Sequence, residues 1–213
     1  EGMPVTVVGI QKGHTVKDNV ACRFGSPNPD GYRKVMRLME QAEKFHRPVI
    51  QFINTSGAYP GKGAEERGQG EAIARCLYLS AGLKTPVISI FIGEGGSGGA
   101  LAMAAGDKVW MLENGMYAVL SPEGFASILW RDPSRSGEAA ELMKITANDL
   151  LKNGVIEKII PEPEEGIENN LEFTADILRK DLIEELNILC AKPIDELMEE
   201  RYQRFRKYGE FEE

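Results

Sequence analysis

The sequence is poor in the side chains that most enzymes use for chemistry. It has two histidines, His14 and His46, and three distant cysteines, Cys22, Cys76 and Cys190. With no C-x-x-C pair, neither a zinc ribbon nor a disulfide framework is available, and no metal is expected on this chain. An odd set of scattered thiols reads as reduced and cytoplasmic. Cys76 and Cys190 fall at apolar helical positions and are expected in the core. No apolar run approaches the ~20 residues that span a bilayer, so no membrane association is expected. Basic charge is short too: 25 Lys and Arg face 33 Asp and Glu, a net charge of −8 that argues against nucleic-acid binding. The start, Glu1-Gly2-Met3-Pro4, lacks a signal-peptide layout and runs straight into apolar residues. The chain as given is therefore expected to open inside a domain.

What is present suits one soluble α/β domain over residues 1–213, with 42% hydrophobic residues to form its core. Lys12, Arg23, Arg33, Lys34 and Arg37 make the N-terminal quarter basic. They read as a solvated helix face, with an anion-binding patch as the alternative. Apolar runs predict strands at 5–10, 49–53, 87–92, 109–112, 117–120 and 155–160. Helical spacing predicts helices at 32–45, 64–81, 100–105, 125–130 and 137–152. Two more close the chain, one lined by Leu178, Leu182, Leu186 and Leu189. The other is patterned by Ile194, Leu197, Met198, Arg201, Phe205 and Tyr208. Pro48-Val49-Ile50 and Pro86-Val87-Ile88 are echoes. Each opens a strand that runs into a glycine-containing turn and a helix, so both turns are expected on one edge of one sheet.

The segment from Gly93 to Gly99 admits three chemistries. Gly93, Gly95 and Gly98 satisfy G-x-G-x-x-G, with the acidic Glu113 about 20 positions on, as a dinucleotide site requires. Gly95-Gly96-Ser97-Gly98-Gly99 fits the G-x-S-x-G elbow of a serine hydrolase, but both histidines precede Ser97, against the usual chain order of that fold. Thirdly, glycines between a strand and a helix can aim several N–H groups at a developing oxyanion, with no side-chain catalyst. For any one of these glycines, tight helix–sheet packing is the competing explanation.

Longer blocks resemble a known family. They are Asn54-Thr55-Ser56-Gly57-Ala58-Tyr59-Pro60-Gly61, Gly63-Ala64-Glu65-Glu66-Arg67-Gly68-Gln69, the I-G-E-G-G-S-G-G-A-L stretch over 92–101, and Ser121-Pro122-Glu123-Gly124 followed by Ile128-Leu129-Trp130. With Gly31-Tyr32-Arg33-Lys34 and Arg201-Tyr202-Gln203-Arg204, they resemble the carboxyltransferase alpha-subunit family of bacterial acetyl-CoA carboxylases, over nearly the whole chain. The resemblance implies a crotonase-like (ClpP/crotonase) β-β-α superhelix with C-terminal helices. It implies carboxyl transfer from carboxybiotin to acetyl-CoA, giving malonyl-CoA for fatty-acid synthesis. Implied partners are a zinc-bearing beta subunit in an alpha2beta2 heterotetramer, a biotin carboxyl carrier protein and biotin carboxylase. By motif position, Gly95 and Gly96 become the backbone oxyanion donors for the biotin ureido oxygen, with Gly57 and Ala58 as second candidates. Gly93, Ser97 and Gly98 become the carboxybiotin-side loop. A serine hydrolase on a ClpP-like scaffold and a noncatalytic assembly subunit are the alternatives. Three departures stand out: Ser56 replaces the family's usual proline, Glu164-Glu165-Gly166-Ile167 replaces a glycine-rich stretch with a histidine, and the family's N-terminal helical region does not precede Glu1.

Overall fold

A computed structural model describes residues 2–209 of the chain. Six strands form one sheet: β1 (Thr6–Gly9), β2 (Val49–Thr55), β3 (Val87–Gly96), β4 (Lys108–Leu112), β5 (Met116–Ala118) and β6 (Lys158–Ile160). Their order is β1-β2-β3-β4-β6, with β5 against the far end of β3, and every pairing is parallel. Strands buried on both faces explain the near-continuous apolar runs. Val49, Ile53, Val87 and Phe91 face one core and Ile50, Ile88 and Ile90 the other, as alternation along a strand requires. The two sequence echoes lie side by side, Val49 opposite Val87 and Ile50 opposite Ile88. Both glycine turns therefore leave the sheet at the same end.

Ten helices occur among the described residues: α1 (Val16–Ala21), α2 (Pro29–Lys44), α3 (Lys62–Glu65), α4 (Gln69–Gly82), α5 (Ser97–Leu101), α6 (Pro122–Trp130), α7 (Ser136–Met143), α8 (Ala147–Lys152), α9 (Leu171–Ala191) and α10 (Ile194–Arg206). Met39 and Ala42 of α2 and Ala147 and Leu150 of α8 pack on the first core. Leu186, Leu189 and Leu197 of α9 and α10 pack on the second, with Leu178 and Leu182 beside them. The polar exception on α10 is Arg201, fully buried. It makes a bidentate pair with Asp107 (both N···O 2.8 Å) and donates to the carbonyls of Ser80, Leu83 and Thr85. An arginine whose donors are satisfied in this way can be carried inside.

Several expectations are corrected. The 64–81 helix is two, because Gly68 takes φ +79° between α3 and α4. The 137–152 helix also breaks, at Lys144 (φ +51°), where Ile145 accepts the Tyr117 amide and Thr146 bridges Met116. The 100–105 helix starts earlier and ends sooner, as α5. The 117–120 strand is three residues, Met116–Ala118, and the 155–160 strand is Lys158–Ile160. Helix α1 was not expected. Thr15 caps it through the Asp18 amide, a local signal that few apolar residues accompany. Cys76 is buried, but Cys190 is exposed: Leu186 and Leu189 hold the inward face, and the next position turns out to solvent.

Candidate functional site

The largest correction concerns the glycines at 93–96, expected as a loop. They continue β3, which runs to Gly96 because β5 pairs with it, Glu94 opposite Met116, Gly95 opposite Tyr117 and Gly96 opposite Ala118. Thr55 at the end of β2 also pairs with Gly95. In a parallel ladder, successive amides point to opposite edges of the strand. The Glu94 amide reaches Asn54 Oδ1 on the β2 side (3.2 Å). That directs the Gly95 amide toward β5 and the Gly96 amide back toward the end of β2. A Cβ on Gly93 would lie 2.7 Å from Asn54 Oδ1, and one on Gly95 2.2 Å from the Phe91 ring. These glycines make room for neighbouring side chains and form no dinucleotide turn.

Gly96 and Gly99 make room for backbone. A Cβ on Gly96 would fall 2.1 Å from the Ser56 carbonyl oxygen, and one on Gly99 2.2 Å from the Ala58 nitrogen. The two glycine turns are thus pressed against each other, closer than any side chain allows. The first is braced from within: Thr55 Oγ1 accepts the Gly57 amide and donates to the Gly57 carbonyl, both at 3.0 Å. Gly57 itself sits at φ +138°. Gln69 Nε2 donates to the carbonyls of Pro27 and Tyr59 (2.8 and 2.9 Å), and Arg23 stacks 4.5 Å over the Tyr59 ring. Buried Tyr32 donates to the Gly99 carbonyl at 3.1 Å, and burial raises its hydroxyl pKa well above the usual tyrosine value.

With the Gly57 amide engaged by Thr55, the Ser56 and Ala58 amides have no acceptor among the described hydrogen bonds, and Gly98 lies in the first turn of α5, where amides find no partner within the helix. Each turn thus offers backbone donors. Ser97 opens α5 at φ +54°, exposed, and its hydroxyl has no hydrogen-bond partner among the described residues. His14 and His46 are both exposed, and neither imidazole forms a hydrogen bond among the described residues. Among the described residues no triad is assembled around Ser97. Cys76 is no nucleophile either: burial pushes its thiol up to about 12. Among the described residues no three His, Cys, Asp or Glu side chains converge, and no helix is long and apolar enough to cross a membrane. A donor-only junction of this kind suits an oxygen that gains negative charge. Sequence reasoning missed Thr55, Asn54 and Tyr32, whose roles arise from contacts 2 to 67 residues apart.

Comparison with known proteins agrees with the motif blocks. The family described as acetyl co-enzyme A carboxylase carboxyltransferase-like matches residues 1–209. Acetyl-coenzyme A carboxylase carboxyl transferase subunit alpha of Streptococcus pyogenes serotype M12 (strain MGAS2096) is 65% identical over 207 residues, 97% of this chain and 79% of that one. The subunit of the same name from Streptococcus sanguinis is 64% identical over the same shares. Among solved structures, a Pseudomonas malonate decarboxylase hetero-dimer superposes with a TM-score of 0.74 at 19% identity, over 97% of this chain and 85% of its own. Transcarboxylase 12S, with methylmalonyl-coenzyme A bound, gives 0.72 at 18%, over 89% of this chain and 35% of its own. These two likenesses bear on the fold, which is the crotonase-like one.

Proposed function

Because the chain belongs to the acetyl-CoA carboxylase carboxyltransferase family, as an alpha-type subunit, we propose that its glycine junction is the oxyanion site of carboxyl transfer. The activity is transfer of carboxyl to acetyl-CoA, giving malonyl-CoA, by biotin-dependent chemistry and together with a partner subunit. The carboxylated ureido ring supplies the carboxyl group, and its oxygen is where negative charge collects. The Gly98 and Ala58 amides hold that oxygen, and Gly95, Gly96 and Gly57 shape its approach. Gly95 and Gly96, which the sequence ranked first as donors, lie in the strand beside β5 and Thr55, a position that favours a share in shaping the site. Gly93 and Ser97 flank the same segment on the carboxybiotin side.

The single observation that carries this reading is the backbone contact between the turns, which sets the Ala58 nitrogen against the first turn of α5. The specific partners are a zinc-bearing beta subunit, in an alpha2beta2 assembly, a biotinylated carrier protein and biotin carboxylase, all in the cytoplasm. Ile128, Leu129 and Leu142 on the neighbouring α6 and α7 are 71%, 60% and 57% exposed, which supports a covering partner. Residues 1–213 act as one carboxyltransferase domain.

The test is co-purification with a beta-type subunit, then malonyl-CoA-dependent carboxylation of free biotin. Replacing the Gly98 amide by an ester, through the α-hydroxy acid, removes one donor and leaves the shape. A loss of roughly 10²–10³ in kcat is expected. Turnover near that of the parent enzyme would refute the donor role of Gly98.

A further inference from the structure

Beside α5 lies a cavity of about 250 Å³ that borders the glycine junction, with Ser97 and Gly98 in its lining. Leu101, Val119, Leu150 and Val155 give it apolar walls, and its polar groups come from Ser97, Gly98 and Tyr117. Apolar walls with a few polar groups are the usual make-up of a small-molecule site. Tyr117 is fixed in two ways. It pairs with Gly95 in the sheet, and its ring stacks on Phe91 with centroids 4.4 Å apart, where a Gly95 side chain would otherwise stand. Its hydroxyl feels the charge of Arg204, in the last turn of α10, and of Tyr208 just beyond it. Arg204 and Tyr208 in turn donate to the Val155 carbonyl, at 2.8 and 3.4 Å, and so brace one wall from behind. The Tyr117 hydroxyl itself has no partner among the described hydrogen bonds and is not sealed from solvent. Burial pushes its pKa up to about 12, so it stays a neutral donor at working pH.

The geometry points to Tyr117 as a binding residue of the transferase site, its hydroxyl donating to the polar edge of the biotin ring while Leu101, Val119 and Leu150 hold the apolar edge. This rests on the reading that carboxybiotin docks at α5. The cavity suits a compact bicycle with one polar and one apolar side, and Gly98 is part of its lining.

Tyr117→Phe keeps the stacked ring and removes only the hydroxyl. In the assembled enzyme, the KM for free biotin should rise roughly fivefold to tenfold, the loss of one neutral hydrogen bond. The KM for malonyl-CoA and the thermal midpoint should not move. Leu101→Trp, which fills the slot, should raise the biotin KM further. An unchanged biotin KM in both variants, or a shift in the malonyl-CoA KM instead, would overturn the assignment. The two readings separate cleanly: normal kcat in the Gly98 ester with a raised biotin KM in Tyr117→Phe removes the oxyanion role and leaves Tyr117 in place.

Discussion

A Cβ on Gly98 would meet only Ile73 Cγ2, at 3.6 Å, whereas one on Gly96 would sit 2.1 Å from a backbone oxygen. The first is ordinary contact and the second has no flexible atom to displace. Gly98→Ala should therefore keep its thermal midpoint, while Gly96→Ala should lose about 1–3 kcal/mol of stability, read by chemical denaturation. Equal stability in the two variants would contradict the close packing of the turns. Ser97 is the other test at this scale. Its φ of +54° is what a nucleophile elbow shows, yet no histidine or carboxylate is bonded to it. Ser97→Ala should cost no more than about tenfold in kcat, where a nucleophile would lose several orders of magnitude. The sequence showed which segment mattered, but it could not show which amides were free. That depends on Asn54, Thr55 and Tyr117, which use up the neighbouring groups.

Strands and helices with strong patterns were legible from the sequence. The 49–53 and 87–92 runs became β2 and β3, and the leucines at 178, 182, 186 and 189 became the inner face of α9. What escaped were the boundaries set by tertiary partners. Glycine has poor strand propensity, so nothing local extends β3 past Ile92, and only pairing with β5 and Thr55 carries it to Gly96. The same strand explains the break between α7 and α8. The Tyr117 amide needs an acceptor, and the carbonyl of Ile145 supplies it by leaving helical geometry.

At the scale of the whole molecule, α10 is tied to the sheet by one buried ion pair, Arg201 with Asp107. Arg201→Met would leave the carboxylate uncompensated, at a cost of about 3–5 kcal/mol. The thermal midpoint should then fall by roughly 10 °C or more, measured calorimetrically. A shift within a degree or two would mean that Asp107 finds another partner. The pair also has a temporal side. Asp107 and Arg201 stand 94 residues apart, and the carbonyls that Arg201 caps lie 116 to 121 residues before it. During synthesis, the Asp107 charge and the Leu83 and Thr85 carbonyls wait without this guanidinium until the final turns of α10 leave the ribosome. A chain cut short before residue 201 would carry that carboxylate uncompensated beside its sheet.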